Sequence, residues 1–311
     1  MIQVFHSVAT AKAALGSCAV TIGKYDGMHL GHQRILRQLK QEAQRLAVPS
    51  LVILSEPQPE EFFAGDKAPP RLNAFHDKVK FLAGFGIDAV YCLRFDAEVS
   101  RQSAEDFVEQ MLLQGLGMQA LVVGEDFRFG HQRRGNIATL RKLADAHAFT
   151  VTAVAPCLDE GERISSTLIR QYLDRGDCAR VSRCLGRPYA ISGKVIHGKQ
   201  LGRELGFPTA NIELCSNKLA LAGIFAVAAS HDGTTHNGVA SIGYNPTVND
   251  QRLLSLEVHV LDFAADLYGH ELTVNFLHKL RDECKFADFA ALKRQMEQDV
   301  TQARQLLERQ P

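Results

Sequence analysis

Val20-Thr21-Ile22-Gly23-Lys24-Tyr25-Asp26-Gly27-Met28-His29-Leu30-Gly31-His32 leads from an apolar run, through a glycine-bearing turn, into a stretch of helical rhythm. The run at 19–22 is short and β-rich. Beyond the turn, Leu30, Ile35, Leu39 and Leu46 recur at spacings close to helical, which predicts a helix over 31–46. Gly23 and Gly27 allow a tight turn and close approach of backbone to a ligand. His29 and His32 are three apart and share a face where both lie in the first helical turn. A helix N-terminus attracts phosphate, and two imidazoles there can donate hydrogen bonds to a triphosphate. An isolated His-x-x-His arises by chance or supports a metal. On a strand–turn–helix corner within a glycine-rich run, phosphate binding is the stronger reading.

The same alternation repeats up to about residue 186. Apolar runs at 19–22, 51–54, 89–93, 120–123 and 151–154 are separated by helical stretches at 31–46, 73–85, 103–113 and 136–147. Runs of four or five with little polar alternation read as strands buried on both faces. The βαβ rhythm predicts a doubly wound parallel sheet, which binds ligands beyond the carboxyl ends of its strands. After residue 187 short strands alternate with Gly, Asn and Pro turns: 190–197, 223–231, 237–242, 254–263 and 271–277. His231-Asp232-Gly233 is a hairpin signal. Leu256-Glu257-Val258-His259-Val260 has the period of a half-buried strand. These features predict a small antiparallel β-barrel, followed by a helix with Phe289, Leu292, Met296, Val300, Ala303 and Leu307 on one face. The expected architecture is α/β, with domains of 1–186 and 187–311 meeting at Gly186-Arg187-Pro188.

Composition narrows the function classes. The 311 residues are 46% hydrophobic and 23% charged, enough apolar content for two cores. Lys+Arg and Asp+Glu both total 35, and neither half carries the excess of positive charge expected of a nonspecific nucleic-acid binder. No apolar run reaches the length of a membrane span, and the N-terminus lacks the pattern of a signal peptide. Seven scattered cysteines without a CxxC fit reduced thiols in a cytoplasm better than a disulfide framework or a zinc site.

The string Gly23-Lys24-Tyr25-Asp26-Gly27-Met28-His29-Leu30-Gly31-His32-Gln33 resembles the adenylyltransferase domain of bacterial bifunctional riboflavin kinase/FAD synthetases, whose HxGH marks the nucleotidylyltransferase superfamily. Three further segments match in order. Glu56-Pro57-Gln58-Pro59 with Phe62-Phe63 resembles FEPxPxxFF. Val123-Gly124-Glu125-Asp126-Phe127-Arg128-Phe129-Gly130 resembles VGxDFRFG. Ile164-Ser165-Ser166-Thr167-Leu168-Ile169-Arg170 resembles ISSTxIR. The resemblance implies that His29 and His32 hold the phosphates of ATP and stabilise charge on the α-phosphate. It implies that Ser166, Thr167 and Arg170 hold the triphosphate, and that Gly23, Asp26, Gly27 and Asp126 belong to the nucleotide site. Phe62, Phe127 and Phe129 become candidates to line a flavin pocket. Ser-Ser-Thr before an apolar helix also serves as a plain N-cap, and the two roles share one helix end. The chain departs from the family at Ser55 (usually aromatic), Lys24 (commonly Asn), Gln132 (Gly) and Asn136 (Asp).

In the second half, residues 193–212 resemble the riboflavin kinase loop GxxLGRxLGFPTANI almost throughout. The resemblance implies that Gly198, Gly202 and Gly206 bring backbone amides to phosphate, and that Thr209 and Asn211 hold Mg²⁺ and ATP. It is not a P-loop, since GxxxxGK[ST] is absent. Ser241-Ile242-Gly243-Tyr244-Asn245-Pro246-Thr247 resembles the family's IGxxPT turn, and Leu256-Glu257-Val258-His259 its LExH strand, in which Glu257 maps to the general base. Arg281-Asp282-Glu283-Cys284-Lys285-Phe286 resembles RxExKF, implying that Arg281, Glu283 and Phe286 help close the flavin pocket.

The implied function is phosphorylation of riboflavin to FMN, then adenylylation of FMN to FAD, each with ATP and Mg²⁺. Such a chain is expected in the cytoplasm as a monomer or weak homo-oligomer, with no nucleic-acid or membrane partner. Three rivals are a riboflavin kinase with a decayed synthetase half, a flavin- or nucleotide-binding regulator, and an adenylyltransferase for another substrate.

Overall fold

The computed structural model describes residues 2–198, 202, 205–246 and 252–308. Its contacts divide the chain into two compact units, residues 1–69 with 75–165, and residues 70–74 with 166–311. The first unit is built on a parallel sheet of β1 (Gln3–Phe5), β2 (Cys18–Ile22), β3 (Ser50–Glu56), β4 (Ala89–Arg94), β5 (Met118–Gly124) and β6 (Thr150–Val154), in the order β1-β4-β3-β2-β5-β6. Its helices are α1 (Val8–Leu15), α2 (Leu30–Leu46), α3 (Pro59–Ala64), α4 (Phe75–Phe85), α5 (Ala97–Arg101), α6 (Ala104–Asp106) and α7 (Ile137–His147). The expected helix over 103–113 is instead the short α6 running into a π-helical segment, Phe107–Gly115. A two-stranded ribbon, β7 (Leu158–Asp159) and β8 (Glu162–Arg163), follows β6.

The inner strands β2–β5 are buried on both faces, as their apolar runs predict, whereas the edge strand β6, expected to be buried likewise from its run at 151–154, buries only Val154 fully because no strand lies beyond it. On β3, Leu51 and Ile53 join one core cluster while Val52 and Leu54 join the other. On β5, Leu121 and Val123 separate from Ala120 and Val122 in the same way. Helix α2 buries Gln33, Leu36, Leu39 and Ala43. Of the expected stripe only Leu39 is fully buried, and Ile35 and Leu46 pack at its margin. Gln33 is accommodated because its amide donates to the Met28 carbonyl at 3.0 Å.

The second unit begins with α8 (Ser166–Asp174) and α9 (Cys178–Leu185). A barrel follows: β9 (Tyr189–Ile196), β10 (Ala210–Ile212), β11 (Gly223–His231), β12 (Thr234–Pro246), β13 (Arg252–Val260) and β14 (Glu271–Arg281). It is antiparallel throughout and closes in the order β10-β13-β12-β11-β14-β9. The β11–β12 hairpin turns at Asp232 (φ +45°) and Gly233 (φ +79°), the pair of left-handed residues that its sequence signals. Phe225 and Phe276 meet edge to face at 5.4 Å in the core. The final helix α10 (Phe289–Leu307) packs Ala303 and Leu307 on Ala226. Phe289, expected on its apolar face, is 67% exposed, while Asp299 is buried in the middle of the helix.

Within this unit α9 buries Val181, Cys184 and Leu185 and packs on β9 and β14. The Tyr189 hydroxyl donates to the Leu72 carbonyl at 3.0 Å, which ties in the segment 70–74. A fragment of 166–311 is therefore expected to melt higher than one of 187–311. The shorter fragment loses seven buried side chains, Ile169, Tyr172 and Leu173 of α8 and Cys178, Val181, Cys184 and Leu185 of α9, and at about 1.5–3 kcal/mol for each large apolar one this corresponds to a fall of many degrees by calorimetry. Equal melting temperatures would mean that α8 and α9 contribute nothing to the barrel.

Candidate active sites

In the first unit β2 lies between β3 and β5, where the connections diverge to either side. Such a reversal opens a crevice at the carboxyl ends of the strands. The turn after β2 carries His29 as the N-cap of α2, and His29 Nδ1 accepts the His32 backbone N–H at 3.3 Å. The two imidazoles stack with centroids 3.6 Å apart and planes at 17°. A Cβ at position 31 would press on the His29 ring at 3.1 Å, so Gly31 gives the ring its place. Beneath His32 lies buried Tyr25, centroids 4.9 Å apart. The Tyr25 hydroxyl donates to Thr21 Oγ1 at 2.7 Å, and Thr21 in turn donates to the Val122 carbonyl. This chain from the sheet to the histidine face was not singled out in the sequence, although Thr21 and Tyr25 stand inside the motif.

Burial pushes the His29 imidazole down to about 4, with the Arg163 guanidinium adding to the effect. His32 is held well below its ordinary value by burial, then by His29, Lys78, Lys24 and Arg163. Both rings are therefore neutral near pH 7, beside three cationic side chains. His32 Nδ1 is buried without a hydrogen-bond partner. Among the other expected residues, Gly23 and Gly27 lie in the turn and Asp26 is buried beside them. Asp126, after β5, is exposed and ion-paired with Arg163 at 2.6 Å. Phe62 and Phe63 form an edge-to-face cluster with Phe95 and are 39% and 70% exposed. Phe127 is half-buried and stacks on Phe129 at 5.4 Å, but Phe129 itself belongs to the core beside Phe107. Ser166, Thr167 and Arg170 fall on the first turns of α8, which the contacts group with the second unit. There Arg170 Nε donates to the Pro70 carbonyl at 2.7 Å.

The departures have local explanations. Lys24 pairs with Glu60 at 2.5 Å, tying the turn to α3. Asn136 caps α7, accepting the amides of Ala138 and Thr139. Gln132 occupies left-handed backbone at φ +53°, which a glycine adopts freely. Ser55 is half-buried at the end of β3.

In the second unit the short strand β10 pairs with β13 so that Asn211 stands opposite Glu257, with Ser241 of β12 on the other side. Thr209 Oγ1 donates to Glu257 Oε2 at 3.2 Å. The Gly198 backbone lies directly against the Asn211 amide, leaving no room for a side chain. The Phe207 amide donates to the Gly202 carbonyl at 2.7 Å, and Gly206 has φ +90°. Lys199, Gln200, Leu201, Arg203 and Glu204 of the glycine-rich string, and Thr247 of the later turn, lie outside the described residues.

Arg281, expected to help close the flavin pocket, has a structural partner within the chain. Its guanidinium is committed to buried Asp299 of α10, through Nε at 2.9 and 3.1 Å and Nη2 at 2.7 Å. Gln295 also donates to Asp299. Phe286 lies 5.7 Å from the guanidinium, and Glu283 rests against Gly243. Arg281 therefore anchors the loop that carries Glu283 and Phe286. Asp299 escaped notice because a carboxylate on an amphipathic helix reads as solvent-facing.

Comparison with known proteins finds a separate family model for each half of the chain. A family model described as FAD synthetase matches residues 11–168, and one described as Riboflavin kinase matches residues 185–307. Proteins named "Bifunctional riboflavin kinase/FMN adenylyltransferase" are 45% identical in Pseudomonas fluorescens, over 93% of each chain, and 43% identical in Haemophilus influenzae, over 97% of this chain and 98% of that one. The protein of that name from Escherichia coli K12 is 41% identical over 98% and 97%. A solved structure described as "Macrolide-efflux Protein" from Streptococcus pneumoniae superposes with TM-score 0.83 at 26% identity, over 98% of this chain and 99% of that one. The fold and these matches place the chain among transferases that combine a nucleotidyl-transfer unit with a kinase barrel. It belongs to the bifunctional riboflavin kinase/FMN adenylyltransferase family.

Two measurements check this geometry. Because the folded-state value of His29 lies below 6.5, unfolding takes up protons as pH falls, and stability drops between about 6.5 and 4. His29→Asn keeps an N-cap but not the titration. In urea unfolding the parent is expected to lose about 2 kcal/mol more than the variant between pH 7.5 and 5. Identical pH dependence would mean that His29 is not buried neutral. Separately, Gln132→Gly is expected to raise the melting temperature by a few degrees. Relief of left-handed backbone, roughly 1–2 kcal/mol, outweighs the added entropy of the unfolded chain, roughly 0.4–1 kcal/mol. A lower melting temperature would show the glutamine to be favourable there.

Proposed function

We propose that the chain makes FAD from riboflavin in two ATP-dependent steps, each performed by its own set of residues. Riboflavin and ATP give FMN and ADP; FMN and a second ATP give FAD and pyrophosphate. ATP and the flavin products follow from membership of the family. The reading is carried by the neutral His29–His32 stack at the reversal point of the sheet, with His32 Nδ1 buried and unpartnered.

Adenylyl transfer needs no enzyme nucleophile. The FMN phosphate oxygen attacks the α-phosphorus of ATP, and pyrophosphate leaves. His29 and His32 donate to the phosphates and stabilise charge developing on the α-phosphate, while Arg163, Lys24 and Lys78 supply positive potential around them. Phe62 and Phe127 offer aromatic surface for the isoalloxazine. Phe129, seated in the core, supports Phe127. Gly23, Asp26, Gly27 and Asp126 shape the nucleotide site, and Ser166, Thr167 and Arg170 rest on the resemblance alone as triphosphate ligands. In sequence the adenylylation residues all precede the 186/187 boundary and the kinase residues all follow it.

In the kinase, Glu257 takes the proton from the terminal hydroxyl of riboflavin as that oxygen attacks the γ-phosphorus. The Thr209 hydroxyl and Asn211 amide oxygen beside the carboxylate make a hard oxygen set that fits Mg²⁺. When bound, Mg²⁺ neutralises triphosphate charge. Gly198, Gly202 and Gly206 bring backbone to the phosphates. Glu283 and Phe286 border the flavin, and Arg281 positions their loop through Asp299. Among the described residues no helix is long and apolar enough to cross a membrane. The free cysteines support a reducing, cytoplasmic setting, and the expectation of a monomer or weak homo-oligomer rests on the resemblance alone.

Single substitutions separate the reactions. Losing one transition-state donor costs about 10²–10³ in rate, and losing a general base about 10²–10⁴. With riboflavin, ATP and Mg²⁺, His32→Ala accumulates FMN while FAD formation nearly stops. Glu257→Ala fails to make FMN yet converts supplied FMN to FAD at near the parent rate. Chromatography of the products decides. If both variants depress both reactions together, the two-site assignment is wrong.

A further inference from the structure

At the β11–β12 turn His231, Asp232 and His270 form a cluster that neither reaction uses. One ligand atom from each lies within 4.8 Å of the others, and among the described residues this is the one such group of three or more His, Cys, Asp and Glu. The His231 and His270 rings meet edge to face with centroids 4.8 Å apart. Three features make the arrangement specific. Asp232 sits at φ +45° in a two-residue turn, fixing its carboxylate relative to His231. His270 directly precedes β14, which pairs with β11, so the ladder holds the histidines together. His231 Nδ1 faces the Glu271 carbonyl at 3.2 Å.

A carbonyl can only accept, so Nδ1 carries the proton. That leaves Nε2 facing the Asp232 carboxylate, 3.3 Å from Oδ2, so a metal ion standing in place of a ring proton would be shared by the nitrogen and the oxygen. A backbone carbonyl behind the far nitrogen is also how proteins commonly orient a metal-bound imidazole. We propose that His231 Nε2, one ring nitrogen of His270 and the Asp232 carboxylate bind a divalent transition ion of the Zn²⁺ class, apart from the residues assigned to catalysis. Two imidazoles and one carboxylate are a usual zinc donor set, and a water completes the tetrahedron. Mg²⁺, which prefers oxygen, is a poor match. The ion would pin the β11–β12 turn to the start of β14.

The test titrates the full-length protein with zinc chloride by calorimetry, and with Co²⁺ by visible absorption. The variants are His270→Ala and Asp232→Asn; asparagine tolerates the left-handed turn, so the second variant keeps the fold. One equivalent of Zn²⁺ is expected to bind the parent, with affinity reduced at least tenfold in each variant. The Co²⁺ spectrum should show d–d bands without the intense ultraviolet band of thiolate ligation. At a hundredfold excess over its dissociation constant, Zn²⁺ should raise the melting temperature of the parent by roughly 5–10 °C but not that of His270→Ala. Binding that is absent from the parent overturns the proposal. So does binding that both variants retain in full, which would place the ion on thiols or in a catalytic site.

Discussion

The pairing of β2 with β3 on one edge and β5 on the other is the constraint on which the first unit depends. Parallel strands cannot be joined by tight turns, so each crossover must pass over a face of the sheet. Where successive crossovers diverge, nothing covers the strand ends. The turn after β2, which carries the histidines, and the turn after β5, which carries Asp126 and Phe127, therefore leave neighbouring strands at the same end of the sheet. The Thr21 hydroxyl, bonded to the Val122 carbonyl across that pairing, carries the same constraint up to Tyr25 and the imidazole above it.

The barrel solves a comparable problem without helices. Closure requires β10 to fill the gap between β9 and β13, and only three residues do so. That brief strand follows the glycine-rich loop immediately. The residues that end the loop are thus forced against the middle of β13, where Glu257 is. A longer β10 would have sheathed the carboxylate in regular ladder; a missing one would have left the barrel open.

Much of this was legible in the residues. Strands buried on both faces lack alternation, and the five apolar runs of the first half are the five central or neighbouring strands of its sheet. The hairpin at Asp232-Gly233 followed from turn chemistry. Other features were not legible, for identifiable reasons. On α2 the buried stripe runs through Gln33 and Leu36 because the Met28 carbonyl takes the glutamine amide, a partner that hydropathy does not register. On α10 the expected anchor Phe289 points to solvent while Asp299 is buried, since Arg281 compensates its charge. Helices α8 and α9 precede the change in rhythm yet belong with the barrel, because rhythm reports local structure and not which core a helix covers. Arg281 stood within a recognisable motif, but its partner Asp299 lies eighteen residues further on, beyond the reach of a local pattern.

That ion pair also bears on how the chain is made. Every strand of the barrel precedes Asp299 in synthesis, so the sheet can close while Arg281 still lacks its counter-ion. The loop bearing Glu283 and Phe286 stays unanchored until α10 has been translated and docked. The first unit is complete by residue 165 and waits for nothing so late. On the ribosome the unit that matches FAD synthetase is thus assembled well before the loop that closes the unit matching Riboflavin kinase, the reverse of the order in which a flavin meets the two reactions.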